Sequence, residues 1–376
     1  MKRISIVIGL LIIASLLFAC APQAAPAEEA APAEEEAPVE EAAPAEEEAP
    51  AAEPMKACLV TDAAGIGDRS FNDMVWKGLE QAKADLGIEA NYIESKSADD
   101  YAPNLAACVD SDADLVVCVG FMMADACKAA VEANPEIKFI GIDINWLTYD
   151  NFLGVDAYMD QSCFQAGYLA AGMTETGTVA TYTGIFGPVV QIFMDGFYMG
   201  VQEYNKVHST EVKVLGYDPK AMDQASATGS WSDIDLGRQF GESFMDNGAD
   251  IILPVAGFVG GGTAAAMRDR GYGYIFGVDQ DWSLTVPEYK DLILASALKN
   301  MDVPVYNAVK GLVEESKWEG GNYILQFSNG GTSLAWNAEV EVPADLKAEV
   351  DALGEKILSG EIQTVSPEYL ALYPRE

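Results

Sequence analysis

The chain predicts an α/β protein of two lobes, each built on a parallel sheet. Three observations carry that expectation. First, two segments recur at one offset. Residues 113–119, Ala-Asp-Leu-Val-Val-Cys-Val, match 249–255, Ala-Asp-Ile-Ile-Leu-Pro-Val; Ile140-Gly-Ile-Asp143-x-Asn145-Trp146 matches Phe276-Gly-Val-Asp279-x-Asp281-Trp282. Both pairs lie 136 residues apart, with Ala129-Ala130 and Ala265-Ala266 in the same register. One strand–helix–strand design used twice explains this most economically. Second, the apolar run 58–60 stops at Thr61-Asp62 and enters a loop holding Gly65 and Gly67 before a helix begins at Ser70. Strand, small-residue loop and helix N-terminus in that order mark the ligand edge of an open parallel sheet. Third, about 320 residues follow the N-terminal address, more than one core commonly holds.

The elements follow in order. Lys2 and Arg3 precede an apolar run over 4–19, which reads as a signal peptide (1–19) because it is too short to span a bilayer. Leu17-Phe18-Ala19-Cys20 resembles a lipoprotein processing site, with Cys20 as the lipidated residue and Phe18 standing where a small residue is usual. Residues 20–54 follow as a tether. Eleven glutamates among alanines and prolines over 21–54 repel one another and bury no core. Apolar density rises again only at 115–119 and 251–255, both of strand length, so no second membrane segment is expected.

In the first lobe Ser70, with Asp73 three residues on, forms an acidic capping box. Val75, Leu79, Ala82 and Leu86 continue at helical spacing, and Gly87 ends the helix. Further on, helices are expected over 161–173, 190–204, 234–246, 304–316 and 344–359, and strands over 178–182, 212–217, 292–299 and 323–327. Ser232 or Asp233 would cap the helix at 234. Asp143 and Asp279 would end equivalent strands and face the crevice between lobes.

Composition narrows the partners. The formal charge is −37; the tether supplies −11 and the signal +2, leaving −28 on residues 55–376. Such acidity argues against nucleic acid and anionic surfaces. Apart from Cys20 there are five cysteines, Cys58, Cys108, Cys118, Cys127 and Cys163, an odd number. Cys58 and Cys118 lie in apolar runs, so most of the five read as buried thiols, with a disulfide left open. No spacing fits a metal site, and no cofactor is called for.

The run Asp62…Gly65…Asp68-x-Ser70-Phe71-Asn72 resembles the signature of the basic membrane protein family, the substrate-binding lipoproteins of ABC importers that include purine nucleoside receptors. Further matches are Lys138-Phe139 to Asp143, Gln165-Ala-Gly-Tyr-Leu-Ala-Ala171, Asp195-Gly-Phe-x-x-Gly200, Gly248-Ala-Asp-Ile251, Gly277-Val-Asp279 and Ser296-Ala-Leu-Lys299. The resemblance implies a type I periplasmic-binding-protein fold, two Rossmann-like lobes joined by three crossovers. The crossovers would fall over 153–160, after Ala297 and near Gly320. The N-lobe would then be 56–155 plus 298–319, and the C-lobe 156–297 plus 320–376.

It also implies a site. Phe71 would stack on one face of a base and Trp231, where phenylalanine is usual, on the other. Asn72 and Asp143 would bond the base edge. Asp62, Gly257, Asp279 and Lys299 would hold the ribose. Phe121 and Phe186 stand nearby without an assigned role, and Asp68 would support the loop or cap the helix. The sequence departs from the family at Gly67, usually aspartate, at Arg69, usually lysine, and at Trp282, usually polar and close enough to alter ligand size.

These features imply a lipid-anchored receptor on the extracytoplasmic face of the cell membrane that hands a purine nucleoside to a permease. A riboflavin-like heterocycle or a sugar in the same fold is the alternative. A nucleoside hydrolase fits less well: His208 is the only histidine, it sits in a polar loop, and no Gly-x-Ser-x-Gly elbow occurs. The protein is therefore read as a binder and not an enzyme.

Overall fold

A computed structural model describes residues 53–375. The signal peptide, Cys20 and almost all of the tether lie outside the described residues. Among the described residues, no helix is long and apolar enough to cross a membrane.

The chain first lays down β1 (Lys56–Val60), α1 (Phe71–Leu86), β2 (Glu89–Ile93), α2 (Tyr101–Asp110), β3 (Leu115–Val119), α3 (Ala124–Ala133), β4 (Lys138–Ile142) and β5 (Phe152–Ala157). It then builds α4 (Asp160–Met173), β6 (Thr178–Thr183), α5 (Pro188–His208), β7 (Lys213–Leu215), α6 (Ile234–Asp246), β8 (Ile251–Val255), α7 (Gly260–Arg270), β9 (Tyr274–Asp279), α8 (Trp282–Thr285) and β10 (Ile293–Lys299). Next come α9 (Asp302–Glu315), β11 (Gly321–Leu325), β12 (Thr332–Trp336), α10 (Ala344–Leu358) and α11 (Pro367–Leu372).

Two six-stranded sheets result, ordered β11-β5-β4-β3-β1-β2 and β12-β10-β9-β8-β6-β7. The orders are equivalent strand for strand, so the 136-residue repeat is structural: β3 and β4 correspond to β8 and β9. The first sheet is parallel throughout, whereas β12 runs antiparallel to β10. β1, β3 and β8 bury nearly every side chain, as strands covered by helices on both faces must. In each sheet the strand order reverses beside the first strand, between β1 and β3 and between β6 and β8. Ligands bind at such switch points, outside the carboxyl ends of the strands.

The chain crosses between lobes after β5, between β10 and α9, and between β11 and β12. The third crossing corrects the expectation of one near Gly320. β11 pairs in register with β5, Tyr323 opposite Val155, and so belongs to the N-lobe sheet; the crossing lies at 326–331. Residues 320–325 therefore leave the C-lobe; against expectation, Asp156 and Ala157 stay in the N-lobe sheet with β5, and Leu298 and Lys299 stay in the C-lobe sheet with β10.

The glycines of the 165–171 and 195–200 runs have a packing cause. A Cβ on Gly167 would lie 2.0 Å from the Phe197 carbonyl oxygen, and one on Gly200 2.0 Å from that of Phe164. α4 and α5 cross backbone to backbone at these bare positions.

The cysteines differ from expectation. Cys58 and Cys108 form a disulfide (Cα–Cα 5.6 Å), as do Cys118 and Cys127 (6.3 Å); Cys163 is a buried free thiol. The four paired residues share one apolar cluster on the far face of the N-lobe sheet. β1 and β3 are neighbours and put Cys58 and Cys118 on the same face, where α2 and α3 cover them.

Two tests follow. Gly200→Ala should force α4 and α5 apart and cost about 1–3 kcal/mol, lowering the thermal midpoint measured by circular dichroism. Reducing both disulfides should cost about 2–4 kcal/mol for each closed loop, seen as a lower midpoint in reductant that a Cys58→Ala/Cys108→Ala variant partly reproduces.

Candidate functional site

The loops after the strands build one cleft. Asp62, Ala64, Asp68 and Phe71 come from the β1–α1 segment, and Gly120, Phe121 and Met122 from the turn after β3. Asp143 follows β4. The C-lobe supplies Val190 and Phe193 of α5, Trp231 before α6, Val255, Gly257 and Phe258 at the end of β8, Val278 and Asp279 of β9, and Lys299 of β10. About 60 Å³ is open to the centre of a water molecule, several waters' worth.

Asp143 and Asp279 occupy equivalent places and share an unusual backbone. Their φ values are 60° and 66°, left-handed positions that side chains other than glycine seldom adopt. Strain held twice at equivalent strand ends turns both carboxylates toward the cleft. Asp143 Oδ1 accepts from Lys299 Nζ at 2.5 Å, and Lys299 is only 2% exposed. The ammonium also lies 5.2 Å from the Phe71 ring centroid and 5.8 Å from that of Phe193. Asp279 Oδ2 accepts from Ser70 Oγ at 2.6 Å. Burial pushes its carboxyl up to about 6, against the pull of Lys299 and the Ser70 bond, with the negative charges of Asp68 and Asp143 adding to the rise.

Asp62 is held differently. Its Oδ1 accepts from Asn72 Nδ2 at 2.7 Å and from the Ala64 amide at 2.9 Å. Burial raises it too to about 6, because these two bonds only partly offset desolvation. Asp156, whose Oδ2 accepts from Asn145 Nδ2, is likewise raised to about 6 by burial and then by the charge of Asp143.

The α1 N-terminus departs from the expected capping box. Ser70 makes no side-chain cap; its hydroxyl goes to Asp279 and to the Val278 carbonyl. Asp68 holds the amides of Ser70, Asn72 and Asp73, while Asp73 accepts from the Gly67 and Arg69 amides. A carboxylate there also meets the positive end of the helix.

The structure brings Asp62, Phe71, Asp143, Trp231, Gly257, Asp279 and Lys299 to the cleft wall. Asn72 is the exception. It is fully buried behind the wall and spends its amide on Asp62 and Asp68, so it positions carboxylates rather than offering a free edge. Trp231 packs against Gly184, where a Cβ would lie 2.3 Å from its ring, and meets Phe121 edge-on with centroids 6.5 Å apart. Phe121 thus joins the wall, whereas Phe186 is 45% exposed and does not line it. Trp282 is no cleft residue either. It is fully buried, donates to the Val278 carbonyl, and fills the space left by Gly260 and Gly277. His208 stacks on Tyr204 and bonds Glu349 at 2.8 Å, away from the cleft. Sequence reasoning missed Phe193, Met122 and Phe258; Phe258, next to Gly257 after a buried strand, had a positional signal, whereas Phe193 looks like any apolar helix residue.

Paired sheets with matched switch points and a cleft of aromatics and held carboxylates define a two-lobed solute-binding protein of the type I periplasmic-binding-protein fold. Residues 55–366 match the family of PnrA-like ABC transporter substrate-binding proteins, and the chain belongs to it. It is 29% identical over 312 residues to basic membrane protein A1 of Borrelia garinii subsp. bavariensis, covering 82% of this chain and 87% of that one. It is 30% identical over 295 residues to an uncharacterized lipoprotein of Pyrococcus furiosus, covering 76% and 71%. Among solved structures it is similar to an ABC transporter solute-binding protein from Aeropyrum pernix K1: TM-score 0.74, 26% identity, 85% and 96% covered. The chain is thus an ABC transporter substrate-binding protein, with a small-molecule ligand and a permease as the partners that family implies.

The raised carboxyls fix a pH dependence. Asp62 and Asp279 titrate near 6 in the fold against an ordinary 3.8, so the folded state binds the extra protons. The stability they contribute is complete below about pH 4 and is lost as pH rises through 6. Without ligand, the thermal midpoint should fall between pH 4.5 and 7.5, and Asp62→Asn or Asp279→Asn should flatten that slope. The carboxylates held low, such as Glu288 and Glu349, titrate below this window and leave its sign unchanged.

Proposed function

We propose that this protein is a lipid-anchored receptor on the extracytoplasmic face of the membrane that closes over a purine nucleoside and delivers it to its permease. The observation that carries the reading is the pairing of aromatic walls, Phe71 and Trp231, with a floor of buried carboxylates and one buried lysine in a single cleft. A flat heterocycle gains roughly 1–3 kcal/mol per aromatic face. Asp62 and Asp279, both raised by burial, regain a hydrogen-bonded environment when sugar hydroxyls donate to them. Phe71 and Trp231 stack on the base, Asp143 meets its edge, and Asp62, Gly257, Asp279 and Lys299 hold the ribose. Asn72 keeps Asp62 and Asp68 in place. The cluster of carboxylates admits a neutral nucleoside and repels a phosphorylated one.

The anchor is Cys20, carried on the acidic tether; the Pyrococcus relative named a lipoprotein supports it. Binding, not catalysis, is the activity. His208 is tied to Tyr168 and Glu349, remote from the cleft.

Calorimetry with guanosine, inosine, adenosine and cytidine tests the ligand, and mass spectrometry of whatever co-purifies tests it independently. Purine nucleosides should bind and their 5′-phosphates should not; the absence of heat or thermal shift with every purine nucleoside overturns the reading. Released hypoxanthine after incubation with inosine would make the protein an enzyme. Trp231→Ala should weaken binding about tenfold to a hundredfold, the worth of one stacked face. Affinity should also fall from pH 7.5 to 5, as Asp62 and Asp279 take up protons and lose acceptor capacity.

A further inference from the structure

We propose that Arg69 and Ser70 form a latch between the lobes, and that as positioning residues they set how long the closed cleft retains its ligand. The inference deepens the receptor reading and rests on it for the ligand. The two residues lie in the N-lobe loop between β1 and α1, and neither lines the cleft. Apart from Asp73 in the first turn of α1, which accepts from the Arg69 amide, every side-chain partner of this pair outside its own loop belongs to the C-lobe. Ser70 Oγ donates to Asp279 Oδ2 at 2.6 Å, and the Ser70 carbonyl accepts from Gln280 Nε2 at 2.9 Å. The Arg69 carbonyl accepts from Thr285 Oγ1 at 3.3 Å. Its guanidinium reaches Glu288 Oε1 at 2.5 Å and lies 5.0 Å over the Phe258 ring. Planarity and charge let arginine make the ion pair and the ring contact together, which lysine does less well.

Three features argue for a latch and against ordinary scaffold contacts. The Ser70 hydroxyl does not cap its own helix, a task Asp68 performs, so it is free to serve the other lobe. Arg69 sits at φ 54°, a strained backbone position for a side chain, and that turn presents both neighbouring groups to the C-lobe. Asp279 and Phe258 do line the cleft, so the latch grips the same C-lobe residues that would face the ligand. Closure and binding are thereby coupled through shared side chains: a ligand held by Asp279 and Phe71 brings Ser70 to its acceptor, and the latch in turn slows reopening.

The test compares the full chain with Ser70→Ala, Arg69→Ala, Arg69→Lys and Glu288→Gln. Inosine dissociation is read by stopped flow, and the radius of gyration without ligand by small-angle scattering. Ser70→Ala should speed dissociation about tenfold, because it strips a buried carboxylate of its donor. Arg69→Ala and Glu288→Gln should speed it about threefold, the scale of a half-exposed pair. Association should change less than twofold, and Arg69→Lys should recover part of the loss. Each accelerating variant should also be more extended without ligand and should compact when inosine saturates it. Wild-type dissociation and scattering in Ser70→Ala and Glu288→Gln overturn the latch while leaving the receptor intact. If the wild-type chain binds no purine nucleoside, the receptor reading fails alone, and ligand-free scattering still decides the latch: expansion in the variants supports it and identity with wild type overturns it.

Discussion

Several carboxylates share one small cleft, and each must have something to hold it. Burying a carboxylate costs far more than burying an apolar group unless donors or a counter-charge replace water. The structure meets this demand with four distinct devices. Asp143 takes the only lysine buried among the described residues, Asp68 takes three amides at a helix start, Asp62 takes an asparagine and an amide, and Asp279 takes a serine from the opposite lobe. The left-handed turns, the Ser-Phe-Asn run and the lysine at the end of β10 all follow from that requirement. Burial still outweighs the donors at Asp62, Asp68 and Asp279, whose carboxyls rise toward neutrality; Asp62 and Asp279 keep capacity for hydroxyl donors.

Sheets and lobes were legible because the fold leaves periodic traces in the chain. Strands buried on both faces show as unbroken apolar runs, and duplicating the design placed two such runs and two terminal aspartates at one offset. Elements without those traces escaped: β2 carries exposed side chains, and β12 lies in a stretch of mixed polarity. The strand β11 was seen, but its sheet was not, since nothing in five residues tells which lobe they join.

Side-chain roles were less legible than positions. The repeat placed Trp146 and Trp282 in equivalent sites, yet one is 55% exposed and the other fully buried. The difference lies in what already fills the hole. A Cβ on Gly277 would touch Trp282, but in the N-lobe the same space beside Gly141 is occupied by Phe152. Asn72 belongs to the recognisable motif, yet it serves two carboxylates from behind. Residues fixed by a shared signature can act through their neighbours, and a linear sequence does not distinguish that from direct contact. The cysteine pairs were hidden for a similar reason: each joins a strand to a covering helix, Cys58 of β1 to Cys108 of α2 and Cys118 of β3 to Cys127 of α3, and which helix turn meets which strand residue is set by packing that no spacing encodes.

Both covalent staples fall on one side of the molecule. Cys58–Cys108 and Cys118–Cys127 fasten helices to the outer face of the N-lobe sheet, and the second encloses the turn that carries Gly120, Phe121 and Met122. The C-lobe, drawn from the same blueprint, carries no disulfide among the described residues, and its α4 and α5 meet at bare glycines. The duplicated halves have thus diverged covalently, and a reductant in the surrounding medium acts on the cross-links of the N-lobe alone.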